Sequence, residues 1–146
     1  MTRTRPYVLV VDDVADAADC LTMLLGLWGY DATACYCGCQ AMRAAQARRP
    51  AAALLDIGMA PMDGFTLAAR LRELPGGERT TLVAVSGHTS ESYKARGREL
   101  GIAHYLLKPA DPMLVRALLG RLIVEPTAVG SRTDYRPRRV RSVPVG

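Results

Sequence analysis

VLVVDD, residues 8–13, sets four apolar residues directly against two adjacent carboxylates. A continuous apolar run of this length reads as a strand buried on both faces. Asp12 and Asp13 then end it with like charges that repel each other and resist desolvation. A solvated turn is one account of the pair. A site that uses concentrated negative charge is the other, and the remainder of the chain decides between them.

Outward from this stretch, strand-like and helix-like segments alternate. YVLVV (7–11) precedes VADAADCLTMLLGLWGY (14–30), where Ala17, Leu21, Leu24, Leu25 and Trp28 recur at helical spacing and Gly29 stops the helix. DATACY (31–36) reads as a shorter strand, broken by Gly38 before the helix CQAMRAAQARR (39–49), which Pro50 ends. AAALLDI (51–57) is a third apolar strand, and GMAPMDG (58–64) is loop by its Gly and Pro content. The helix FTLAARLREL (65–74) is closed by PGG, and TLVAVSG (81–87) is a fourth strand. SESYKARGREL (90–100) reads as a weaker helix carrying Gly97, followed by a fifth strand in IAHYLLKP (102–109). Asp111 as N-cap and Pro112 at the first helical position open the last helix, which runs to Val124. Five βα units with apolar strands imply an α/β fold, a parallel sheet covered by helices on both faces with right-handed crossovers.

The chain has 146 residues, 49% of them hydrophobic and 23% charged, as expected of one ordinary globular domain. No apolar run reaches the roughly 20 residues needed to cross a bilayer, and the basic N-terminus is followed by acids instead of a signal peptide core. A cytoplasmic protein without membrane contact is expected. The net charge of +5 resides at the ends: five arginines face Glu125 and Asp134 beyond residue 124, and Arg3 and Arg5 lie at the start. Between them basic and acidic side chains balance at twelve each, so no basic face for gripping a duplex is indicated and direct DNA binding is not expected. We divide the chain into an extension (1–5), a folded domain (6–124) and a basic, disordered tail (125–146) whose RPRRVR run reads as solvated terminus. Cys20, Cys35, Cys37 and Cys39 lack the companion ligands of a metal site, His88 and His104 being isolated, and read as small filler.

In an open parallel α/β sheet, ligands bind beyond the carboxyl ends of the strands. There the sequence sets Asp12 and Asp13 after the first strand, Asp56 at the end of the third, Ser86 at the end of the fourth, and Lys108 with Pro109 after the fifth. Three carboxylates, a hydroxyl and an ammonium therefore share one edge.

The pieces VLVVDD, LLDIGMAPMDG, VAVSGH and YLLKP, in this order and spacing, resemble the receiver domain of two-component response regulators, and the likeness covers residues 6–124. The resemblance implies a flavodoxin-like, doubly wound sheet in strand order 2-1-3-4-5 with five helices. It implies Asp56 as phosphoacceptor, taking its group from a histidine kinase or histidine phosphotransfer protein. Asp12, Asp13, Asp56 and the Gly58 backbone carbonyl would hold Mg²⁺ (or Mn²⁺), whose charge offsets the mutual repulsion of the carboxylates. Lys108 would pair with phosphoryl oxygens, presented by a cis peptide at Pro109, and Ser86 would donate its hydroxyl to them. Ser86 and Tyr105 would form the switch that remodels the face of the fourth helix, fifth strand and fifth helix for a downstream partner. Gly58 and His88 occupy positions that modulate aspartyl-phosphate hydrolysis. One departure stands out: the family's loop proline falls at Ala60 here and appears as Pro61, which implies a local backbone difference without loss of chemistry.

The expected function is a single-domain, non-enzymatic response regulator that signals by altered protein binding. Two alternatives stay open at this point. A phosphatase of the haloacid dehalogenase type needs Asp-x-Asp, where this chain has adjacent acids followed by Val14. A phosphorylation-independent adaptor would keep the pocket only as scaffold, yet all five key positions are filled.

Overall fold

The computed structural model describes residues 5–87 and 90–123. The expected disordered tail, His88 and most of the N-terminal extension lie outside the described residues. Five strands, β1 (Tyr7–Val11), β2 (Asp31–Cys35), β3 (Ala52–Asp56), β4 (Thr81–Ser86) and β5 (Ile102–Leu107), form one parallel sheet in the order β2-β1-β3-β4-β5. The helices are α1 (Ala15–Leu27), α2 (Gly38–Ala47), α3 (Gly64–Glu73), α4 (Glu91–Glu99) and α5 (Pro112–Leu122), with a short 3₁₀ turn at Gly77–Arg79.

Alternation along the strands explains the two cores. Successive side chains of a strand point to opposite faces, so Val8 and Val10 pack with Ala18 and Leu25 of α1 and Val115, Leu118 and Leu119 of α5. Leu9 and Val11 go to the other side, with Ala41 and Ala45 of α2 and Phe65, Leu67 and Leu71 of α3. Both sets are buried, which is why VLVV carries no polar residue.

Helix ends follow from local chemistry. Gly29 adopts φ 102, a left-handed conformation that costs glycine nothing, and so turns the chain after α1. Asp111 accepts from Met113 N at 2.9 Å with Pro112 at the first position of α5, as the sequence indicates. Gly38 corrects one expectation: it does not break the chain ahead of α2 but is the helix's first residue, after Cys37 as N-cap. A Cβ there would lie 3.0 Å from the methyl of Met62, so the small residue lets α2 start under the acceptor loop. At the opposite end of the sheet, Arg72 of α3 donates to the carbonyls of Gly77 (2.6 Å), Thr80 (2.5 Å) and Gly101 (2.6 Å), tying three turns together.

Candidate functional site

The sheet register brings the strand ends together. Val11 pairs with Leu55, so Asp12 and Asp13 emerge beside Asp56, and Asp56 pairs with Val85, which places Ser86 on the far side. Carboxylate oxygens of Asp12, Asp13 and Asp56 all lie within 4.8 Å of one another. Their settings differ: Asp13 is exposed, Asp12 half-buried and Asp56 buried, with 5% of its surface accessible.

A buried carboxylate needs partners. The Lys108 ammonium lies 3.1 Å from Asp56 Oδ1 and 3.7 Å from Asp12 Oδ2. Gly58 N donates to the same Asp56 Oδ1 at 3.1 Å, which holds the plane of the carboxylate. Lys108 is itself held by its backbone N–H, which donates to Ser86 O at 2.9 Å; the Lys108–Pro109 bond that follows is cis. Asp12 Oδ1 accepts from Val14 N at 2.9 Å, and this contact opens α1 in place of a conventional side-chain cap.

The charges act on one another as the distances require. Burial raises the Asp12 pKa above the ordinary carboxylate value, the Val14 N–H opposes that, and the Asp56 charge adds to it. Burial alone would lower Lys108, but its hydrogen bond to Asp56 and the charges of Asp12, Asp56 and Asp13 outweigh it, and its pKa rises. The ammonium is therefore firmly protonated and neutralises part of the cluster.

The structure thus assembles Asp12, Asp13, Asp56, Lys108 and the Gly58 amide into one centre, with Ser86 buried at its rim. Tyr105 lies on β5, half-buried, its hydroxyl donating to Tyr93 O of α4 at 2.6 Å. His88 lies outside the described residues. The loop after Asp56 holds a second cis bond, Ala60–Pro61, at the position where the proline is displaced by one. Two supports escaped the sequence reading. Asp63 caps α3 by accepting from Thr66 N at 2.8 Å, and Gly64 lets the helix abut the acceptor strand, since a Cβ there would sit 2.7 Å from Asp56 O. The signal was available: Asp-Gly ahead of an apolar helix is an N-cap pattern, but within a loop rich in Gly and Pro it reads as turn.

The cysteines stay apart from this chemistry. Cys35 is buried, and that burial, with Cys37 beside it, pushes its thiol up to about 11. Among the described residues all four are free, and the acidic cluster is the one group of three or more such ligating side chains.

Comparison with known proteins agrees with the geometry. The family model described as "Response regulator receiver domain" matches residues 8–119. An uncharacterised 14.6 kDa protein of Leptolyngbya boryana is 34% identical over 112 residues, covering 77% of this chain and 86% of that one. The transcriptional regulatory protein PrrA of Mycobacterium tuberculosis is 35% identical over 73% of this chain, but the match spans only 45% of PrrA. The solved structure of the chemotaxis protein CheY4 of Vibrio cholerae superposes with a TM-score of 0.79 at 26% identity, over 82% of this chain and all of that one. The family-model match spans most of the folded chain and the sheet has the order β2-β1-β3-β4-β5, so the chain belongs to one family: the receiver domains of two-component response regulators.

Proposed function

We propose that the chain is a phosphorylatable switch that accepts a phosphoryl group on Asp56 from a phosphohistidine and signals by changed protein binding. The reading rests on one observation: three carboxylates from two strand ends converge within 4.8 Å, and the buried one is held at 3.1 Å by Lys108. In the transfer, an Asp56 carboxylate oxygen bonds to phosphorus as the N–P bond breaks. The electron pair of that bond returns to the donor imidazole, which takes up a proton.

Such a transfer demands positioning and charge neutralisation more than covalent assistance. Lys108 pairs with phosphoryl oxygens as they approach Asp56, and the Gly58 N–H keeps the attacking carboxylate from rotating. Ser86, at the adjoining strand end, supplies a hydroxyl donor to the transferred group. The all-oxygen donor set suits a hard divalent cation, held by Asp12, Asp13, Asp56 and the Gly58 carbonyl. When bound, Mg²⁺ (or Mn²⁺) supplies the positive charge that lets three carboxylates and a phosphoryl group share this space. The chain performs no turnover of an external substrate beyond its own phosphorylation and hydrolysis.

The transferred group adds about −1.5 to −2 charge at a fixed point, enough to bias a two-state element. Tyr105, between the site and α4, is that element, and the face of α4, β5 and α5 is the output surface. Exposed Leu107, Met113 and Leu114 at the end of β5 and the start of α5 supply apolar contact area for a partner protein. No helix among the described residues is long and apolar enough to cross a membrane.

Incubation with acetyl phosphate and Mg²⁺ is expected to add one phosphoryl group through an acid-stable, base-labile bond. Absence of any adduct over a range of donor concentrations would falsify the proposal. The site also carries a pH signature. Protons compete with the cation for Asp12, whose raised pKa makes that competition begin above the usual carboxylate value of about 3.9. Magnesium affinity, followed by titration calorimetry, is expected to be full at about pH 8 and to weaken as the pH falls to about 4. An affinity unchanged across that interval contradicts the assignment of Asp12 to the cation.

A further inference from the structure

Glycine inside a helix weakens it relative to alanine, and α4 (ESYKARGRE) is already polar and thinly packed. Yet Gly97 stands in its second turn, and it is the buried residue of this helix. The reason lies on β5. A Cβ on Gly97 would collide with the Tyr105 hydroxyl and come within 2.7 Å of Cζ and 2.9 Å of Cε1. The ring thus crosses the helix through the space that the glycine leaves open. Its hydroxyl lands on Tyr93 O, the carbonyl one turn earlier, at 2.6 Å. Tyr93 in turn sets its ring edge-on to Phe65 of α3, centroids 5.3 Å apart.

We infer that Gly97 is a positioning residue for the switch: the slot it leaves in α4 is what makes the packed position of Tyr105 available. The inference rests on the reading of Tyr105 as the moving aromatic, and it adds the condition under which that aromatic is accommodated. Any side chain at 97 closes the slot, because the obstacle is a rigid ring held at its far end by a hydrogen bond. Tyr105 and α4 therefore move as one unit, and a partner that shifts α4 shifts the tyrosine with it.

The sign of a stability change tests the contact. On an open helix, Gly97→Ala raises the unfolding temperature; here it is expected to lower it by about 5 °C. In a Tyr105→Leu background, where the ring is gone, the same substitution is expected to raise it. An increase in both backgrounds overturns the inference. Fluorotyrosine-labelled protein, with the Tyr105 resonance assigned through Tyr105→Phe, supplies a readout that bulk stability does not. In Gly97→Ala the Tyr105 signal is expected at the position of an exposed tyrosine, with or without beryllofluoride and Mg²⁺. Phosphoryl uptake from acetyl phosphate should persist, because the three atoms nearest a Cβ on Gly97 all belong to Tyr105 and none to the acceptor cluster. A Tyr105 signal unmoved by the substitution also overturns the inference. Should the wild-type signal ignore beryllofluoride while Gly97→Ala still displaces it, the positioning role stands and the switch reading of Tyr105 falls.

Discussion

Asp56→Asn is expected to reduce phosphoryl uptake from acetyl phosphate by at least about 100-fold, because it removes the attacking oxygen charge and leaves the rest of the centre in place. The amide keeps an oxygen that can accept from Gly58 N and Lys108, so the local hydrogen bonds survive. Two energetic consequences oppose each other. The ion pair at 3.1 Å to Lys108 is lost, which destabilises. The repulsion between Asp56 and the half-buried Asp12 also disappears, which stabilises. Folding stability should therefore change little, by about 1 kcal/mol in either direction. Radiolabel incorporation and urea unfolding on the same preparation separate the two effects. A variant that folds and still takes up label at the wild-type rate removes Asp56 from its assigned role.

Gly64→Ala carries the largest expected cost to stability among the site's supports. The new methyl would meet Asp56 O at 2.7 Å, Ile57 Cα at 2.8 Å and the Ile57 side chain at 2.8 Å. Two of these are backbone, in a strand end pinned by Gly64 N donating to Ile57 O at 3.1 Å. Neither can swing aside as a flexible side chain would, so α3 or the end of β3 must shift. Overpacking of this kind costs about 2–3 kcal/mol. Because the displaced strand end is the one bearing Asp56, magnesium affinity should fall with stability. An unchanged urea midpoint together with an unchanged cation affinity would show that the contact yields without consequence.

The two substitutions differ in how visible their targets are. Asp56 can be picked out from the chain because it ends an apolar run and shares a sheet edge with Asp12, Asp13, Ser86 and Lys108. Gly64 cannot, since its importance comes from a backbone that approaches it from another element. The same contrast recurs elsewhere. Asp111-Pro112 announces a helix start by local chemistry, and the structure has that cap. Ser90 makes the equivalent cap for α4, accepting from Tyr93 N at 3.3 Å, but within a polar, glycine-bearing stretch it carries no comparable signal. Gly97 reads as a flaw in α4 until Tyr105 is seen lying across it.

Periodicity and composition act over a few residues, so they were enough to specify the strands, the two-sided burial of β1, β3 and β4, the parallel α/β architecture and the polar groups stationed at its carboxyl edge. Which oxygen Lys108 holds, how deeply Asp12 and Asp56 are desolvated, and what a Cβ at positions 64 and 97 would meet emerged from the packed molecule alone. Those properties depend on separations of a few ångströms between elements far apart in the chain. Such separations are set by strand register and helix docking, to which no short stretch of residues has access.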